Sequence, residues 1–195
     1  MARLKKTRQM QAVVMGVSTG GVEALRIILG ALPPDFAAPV LVVTHVAPES
    51  GNGLATLLDD LCAIKVKEAD ELETPVAGCV YLAPPNYHLL VELNRQLTLS
   101  VDPPINFARP SVDVLFETAA EAYGPGLVGV VLTGAGSDGA RGLARVRERG
   151  GITVIQSPDQ AECDSMPRHA LLLVQPDHLV HLADVASLLV KLSKE

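Results

Sequence analysis

Residues 12–31, AVVMGVSTGGVEALRIILGA, decide how the rest of the chain is read. Ala12 to Gly16 is an apolar run of strand length, and Gly16 to Gly21 supplies turn chemistry. Leu25, Ile28 and Leu29 then recur at the spacing of one helix face. Pro33-Pro34 ends that helix, because proline has neither the N–H nor the room to continue it. Strand, Gly-rich turn and helix in this order form a βα unit, and the order recurs down the chain without a break in composition. Residues 40–44 predict a second strand. Leu54, Leu57, Leu58 and Leu61, after the Gly51-Asn52-Gly53 loop, predict a second helix, and 63–67 a short strand. Ser111 has the chemistry of an N-cap for a helix running to Tyr123, with Asp113 in its first turn. Residues 127–132 predict a third buried strand. The helix predicted at 140–149 is closed by Gly150-Gly151, 152–155 is another strand, and 182–192 a closing amphipathic helix. The alternation is interrupted once. Residues 79–82, 88–93 and 96–101 predict three short strands in an antiparallel excursion, joined by Pro84-Pro85-Asn86 and Asn94-Arg95. The class is α/β with a mostly parallel sheet.

The length of 195 residues suits one domain, and 48% hydrophobic against 19% charged residues provides a core. The basic residues Arg3, Lys5, Lys6 and Arg8 lie in an N-terminal tail, 1–11, read as a solvated terminus; the domain is 12–195. No apolar run approaches the roughly 18 residues of a membrane span, and the basic start has no signal core behind it. The expected location is cytoplasmic. Sixteen Lys+Arg against 22 Asp+Glu give a net charge of −6, which disfavours nucleic acid as a partner. Cys62, Cys79 and Cys163 match neither zinc nor redox spacing and read as ordinary thiols. His88, His169, His178 and His181 form no metal motif and read as structural or surface residues. Met166-Pro167-Arg168 reads as a surface loop entering a short helix.

In an open parallel sheet, chemistry gathers at the carboxyl ends of the strands. Three loops stand out there. Gly16-Val17-Ser18-Thr19-Gly20 fits the Gly-x-Ser-x-Gly form of a strand-to-helix nucleophile elbow. His45 lies one residue past the second strand, and Asp138 lies in the turn from Thr133 to Gly139. Serine, histidine and aspartate on three strand ends form a charge-oriented nucleophile. Simpler readings stay open on pattern alone. The 16–21 turn also suits a phosphate-cradling loop at a helix start, His45 a structural histidine, and Asp138 the cap of its own helix.

The quoted residues resemble the catalytic domain of the CheB methylesterase family from about Val13 to Val190. The stretches are GVSTGG at 16–21, VVTHVAP at 42–48, AGCVYLAPPNYH at 77–88, ARPSVDVLFETAA at 108–120, VVLTGAGSDGARGL at 130–143 and SMPRHAL at 165–171. The resemblance implies a doubly wound α/β domain with helices on both faces and an antiparallel β-hairpin. It implies a cofactor-free carboxylic-ester hydrolase with a catalytic Ser18, His45 and Asp138, an oxyanion contact from the backbone amide of Ala135, and Thr19 as a further oxyanion- or substrate-binding residue. Ala135 stands where the family usually has methionine. The implied substrates are glutamate methyl esters, and also glutamines, on methyl-accepting chemoreceptors in bacterial chemotaxis. The ten or so residues before the first strand are too few for the receiver domain usual in the family. A stand-alone or excised catalytic domain is therefore expected, with any regulator acting in trans. Two rival classes are a nucleotide- or phosphate-binding module and a signalling scaffold without turnover.

Overall fold

The computed structural model describes residues 9–45 and 53–194. The basic cluster of the tail and Val46 to Asn52 lie outside the described residues. Strands β1 (Ala12–Val17), β2 (Val40–Thr44), β3 (Lys65–Glu68) and β4 (Cys79–Leu82) share one sheet with three later strands. A separate hairpin, β5 (His88–Val91) and β6 (Leu97–Ser100), pairs antiparallel. The later strands of the main sheet are β7 (Leu127–Val131), β8 (Ile152–Gln156) and β9 (His178–Val180). The order is β3-β4-β2-β1-β7-β8-β9, every pairing parallel.

Strands β1, β2 and β7 are buried at every position, as a sheet covered on both faces requires. Helices α1 (Gly21–Gly30), α2 (Gly53–Leu61) and α6 (Val185–Leu192) cover one face, against Val13, Met15 and Val17 of β1. Helices α3 (Val112–Tyr123), α4 (Ala140–Glu148) and α5 (Ser165–Leu173), with the hairpin, cover the other, against Ala12 and Val14. The period-2 alternation of a strand thus divides one apolar run between two cores. Among the described residues no helix is long and apolar enough to cross a membrane.

Three predicted elements come out differently, and one strand is not predicted. Strand β4 is not part of an antiparallel excursion, since it pairs parallel with both β2 and β3. All four of its residues are buried, so it takes an interior place that its short length does not announce. Strand β9 has no predicted counterpart, because three residues with half-exposed faces carry no periodicity. The closing helix begins as a 3-10 turn at Leu182–Asp184 before α6. Met166-Pro167-Arg168 is helical, its proline in the first turn of α5, where a missing N–H costs nothing. Met166 is fully buried there rather than part of a surface loop.

From β1 the chain adds β2, passes to the sheet edge at β3, fills the place between them with β4, and later returns on the other side of β1 as β7. The helix after β1 packs on one face and the helix after β7 on the other. The carboxyl ends of these two strands therefore open a crevice, the place where doubly wound sheets hold their chemistry.

Candidate active site

Register brings the three predicted residues to this crevice. Val17 of β1 pairs with Thr44 of β2, and the His45 N–H continues the ladder to Val17 O at 3.3 Å. Ser18 and His45 are thus next-door neighbours just past two adjacent strand ends. On the other side the Ser18 N–H donates to Thr133 O at 3.0 Å, so the loop after β7 is stitched to the serine. Thr133 Oγ1 donates to Thr19 O at 2.9 Å and fixes the elbow from below. Ser18 is half-buried, and among the described residues its hydroxyl makes no hydrogen bond.

Gly134 explains how the third loop comes so close. A Cβ there would lie 2.8 Å from Ser18 Cβ and would also overlap the sulfur of Met166. The Gly134 peptide is held on both sides, its N–H donating to Cys163 O and its carbonyl accepting from Met166 N–H, each at 2.9 Å. Ser165 Oγ donates to Gly136 O at 2.9 Å. The start of α5 thus clamps residues 134–136. Between the clamped residues stands exposed Ala135, whose N–H, like that of Thr19, donates to no group among the described residues. Two unspent backbone donors beside a serine have the chemistry of an oxyanion hole.

His45 Nε2 donates to Asp138 Oδ2 at 2.8 Å, which leaves Nδ1 as the ring nitrogen able to accept a proton. Asp138 is only 3% exposed and its carboxylate is fully engaged. Oδ1 accepts from Ser111 Oγ and the Asp113 N–H, each at 2.9 Å, and Oδ2 also accepts from the Val112 N–H at 2.7 Å. Burial pushes its pKa up, but the His45 contact and the Asp113 and Val112 amides outweigh that and hold it below the ordinary aspartate value. The carboxylate therefore stays ionised beside the imidazole.

Asp138 does not cap its own helix. It closes the N-terminus of α3, while Asp113 of α3 accepts from the Gly139 and Gly142 N–H groups at 2.9 and 2.7 Å and closes α4. Each helix borrows its cap from the other because their first turns lie side by side. Ser111 occupies the N-cap position as predicted, but its hydroxyl makes no capping bond; it is spent on Asp138. Burial raises Asp113 above the ordinary value, and the nearby Asp138 charge adds to this against the Gly142 amide and Arg141. His88, buried, accepts the Ser111 N–H on Nδ1 and donates from Nε2 to Pro103 O, both at 3.2 Å. The histidine read as structural thus braces the segment behind Asp138. Local chemistry marks Ser111 and Asp113 as the start of a helix and His88 as structural, but sequence spacing carries no sign that they brace this site. Nor does it for Met166 or Cys163, and Cys163 lies outside the family stretches as well.

A cavity of about 560 Å3 opens over the pair and is lined by His45, Asp138, Ala135, Asn86, Asn106 and Arg109, among others. Ser18 does not line it but lies behind Gly134, next to Ala135. No group of His, Cys, Asp and Glu among the described residues is arranged to hold a metal ion.

A sequence profile described as CheB methylesterase matches residues 13–189. The chain belongs to the CheB methylesterase family. It is 46% identical over 184 residues to a protein-glutamate methylesterase/protein-glutamine glutaminase of Leptospira interrogans, covering 94% of this chain and 95% of that one. A protein-glutamate methylesterase/protein-glutamine glutaminase 3 of Burkholderia lata is 44% identical over 179 residues, but the chain spans only 48% of its length. The crystal structure of the Thermotoga maritima CheB methylesterase catalytic domain superposes with a TM-score of 0.90 at 33% identity, covering 94% of this chain and 99% of that one. The doubly wound, mostly parallel architecture with its antiparallel hairpin is the fold of this family.

Proposed function

We propose that this CheB-family domain hydrolyses glutamate methyl esters on methyl-accepting chemoreceptors through Ser18, His45 and Asp138. The 2.8 Å bond from His45 Nε2 to a buried, ionised Asp138 carries the reading. With the Nε2 proton committed to Asp138, Nδ1 takes the Ser18 hydroxyl proton as the oxygen attacks the ester carbonyl. The developing oxyanion is met by the free N–H groups of Ala135 and Thr19. The imidazolium returns its proton to the leaving methoxide, methanol departs, and water repeats the sequence on the acyl-enzyme. Ammonia leaves in the same way from a glutamine side chain, which accounts for the paired activities in the relatives' names. Every proton is moved by a side chain, so the proposed mechanism requires no cofactor.

The phosphate-loop reading meets an obstacle at the elbow. The Glu162 side chain packs on Gly20, with its carboxylate oxygen 2.7 Å from where a Cβ would stand. A phosphate at the N-terminus of α1 would meet that negative charge. The scaffold reading accounts for Asp138 as the cap of α3 but leaves its bond to His45 without a use. The test is methanol release from methylated receptor membranes by purified protein, together with covalent labelling by a fluorophosphonate. Labelling and methanol release that both vanish in Ser18→Ala support the reading. A folded Ser18→Ala variant with parental release overturns it.

A further inference from the structure

One wall of the cavity is a turn with an unusual occupant. Ile105 N–H donates to Ala108 O at 3.0 Å and Ala108 N–H to Ile105 O at 2.9 Å, closing a two-residue turn over Asn106 and Phe107. Both central residues are left-handed, with φ of 50° and 64°. Such turns favour Asn followed by Gly, because a Cβ at the second position is strained. Asn106 obeys the rule; Phe107 breaks it. The ring also gains no burial, since Phe107 is 104% exposed and packs on none of the described residues. A large apolar side chain is thus held in water, at a backbone position better suited to glycine.

The turn is nevertheless anchored. Asn106 Nδ2 donates to Asp113 Oδ2 at 3.2 Å, the carboxylate that closes α4 next to Asp138. Arg109 Nη1 donates to Val101 O at 2.8 Å and Asp102 O at 3.1 Å, tying down the base of the loop. Phe107 lines the same cavity as His45 and Asp138. This turn therefore faces whatever side chain occupies that cavity. Beside the ring along the chain stand apolar Pro104, Ile105 and Ala108 and polar Asn106; Arg109 is engaged through Nη1, while its buried Nε has no partner among the described residues.

Building on the reading above, we propose that Phe107 is a specificity-determining residue that grips an apolar side chain flanking the modified glutamate on the protein substrate. Strain and exposure are tolerated because the ring is covered only when substrate is bound. A small reagent that needs no polypeptide contact does not feel the ring; a protein substrate does.

Phe107→Ala, Phe107→Gly and Phe107→Leu are compared with the parent in three measurements: methanol release from methylated receptor membranes, the rate of fluorophosphonate labelling of Ser18, and Tm. Losing a buried aromatic contact lowers kcat/KM on receptors about tenfold or more in the Ala and Gly variants, through KM. Labelling stays within about twofold of the parent, since the triad is untouched. Leu recovers most of the receptor activity, and Gly melts at or above the parent temperature because it suits the left-handed backbone. Parental kcat/KM in the Ala and Gly variants overturns the proposal. So does labelling that falls in step with turnover, which makes the ring a support of the triad. A parent that labels but releases no methanol overturns the functional reading itself, and the proposal with it.

Discussion

Replacing Asp138 by Asn exchanges a four-acceptor carboxylate for an amide with one oxygen and one NH2. If the amide oxygen keeps the place of Oδ1, it still accepts from Ser111 Oγ and the Asp113 N–H, but the NH2 faces the Val112 N–H and His45 Nε2. In the flipped orientation the Val112 N–H and His45 are served, Ser111 Oγ turns to accept, and the Asp113 N–H is orphaned. Either way one backbone donor in the first turn of α3 is buried without an acceptor, at about 1–3 kcal/mol. Removing a negative charge from a helix N-terminus adds about 1 kcal/mol. The expected loss is about 2–4 kcal/mol, or roughly 4–16 °C in Tm for a domain of this size. The first orientation also presents a donor to Nε2 and fixes the wrong tautomer, which in triads costs up to about 10⁴-fold in turnover. Urea unfolding at pH 7 reads the stability, with Ser111→Ala as a reference that removes one hydrogen bond to the same carboxylate and leaves its charge in place. Because the native state holds the Asp138 pKa below its ordinary value, its contribution is present above pH about 4 and is lost as pH falls through the lower native value. The gap between parent and Asp138→Asn must therefore narrow on acidification below pH about 4. A variant within about 0.5 kcal/mol of the parent at pH 7, or a gap independent of pH, refutes the capping argument.

Ser18→Ala keeps parental stability within about 0.5 kcal/mol, since the hydroxyl holds nothing in place, and loses methanol release by about a thousandfold or more. Near-parental release from folded protein removes Ser18 from the mechanism. Asp113→Asn gives the opposite pH trend to Asp138→Asn. A carboxylate raised in the native state weighs against folding as pH rises through its range, so stability relative to the parent shifts toward the variant between about pH 3 and 7. Denaturant titrations at those two pH values showing a shift toward the parent contradict the assigned direction. Gly134→Ala forces a Cβ onto Ser18 Cβ and the Met166 sulfur. It should lower stability by about 1–3 kcal/mol and fluorophosphonate labelling by about a hundredfold; parental labelling contradicts the proposed close approach.

The βα alternation, the carboxyl-edge location of Ser18, His45 and Asp138, and the hairpin at 88–101 were legible in the chain itself. Each depends on local chemistry: apolar runs of strand length, Gly-rich turns and helical periodicity. Family stretches then singled out the same three residues. Strand order was not legible. Nothing local to Cys79–Leu82 says that it joins β2 and β3, because pairing is decided by which strands share a buried face. The simpler reading of Asp138, as the cap of its own helix, fails for a related reason. A carboxylate before a glycine at a helix start reads as that helix's cap, yet the packing of α3 beside α4 offers it a better set of donors next door. Ser111 shows the converse, an N-cap residue whose hydroxyl goes to a partner 27 positions away. Local propensity determines what an element can be. Which buried polar group satisfies which is settled only when tertiary packing brings distant donors and acceptors together in the absence of water, where each must find a partner.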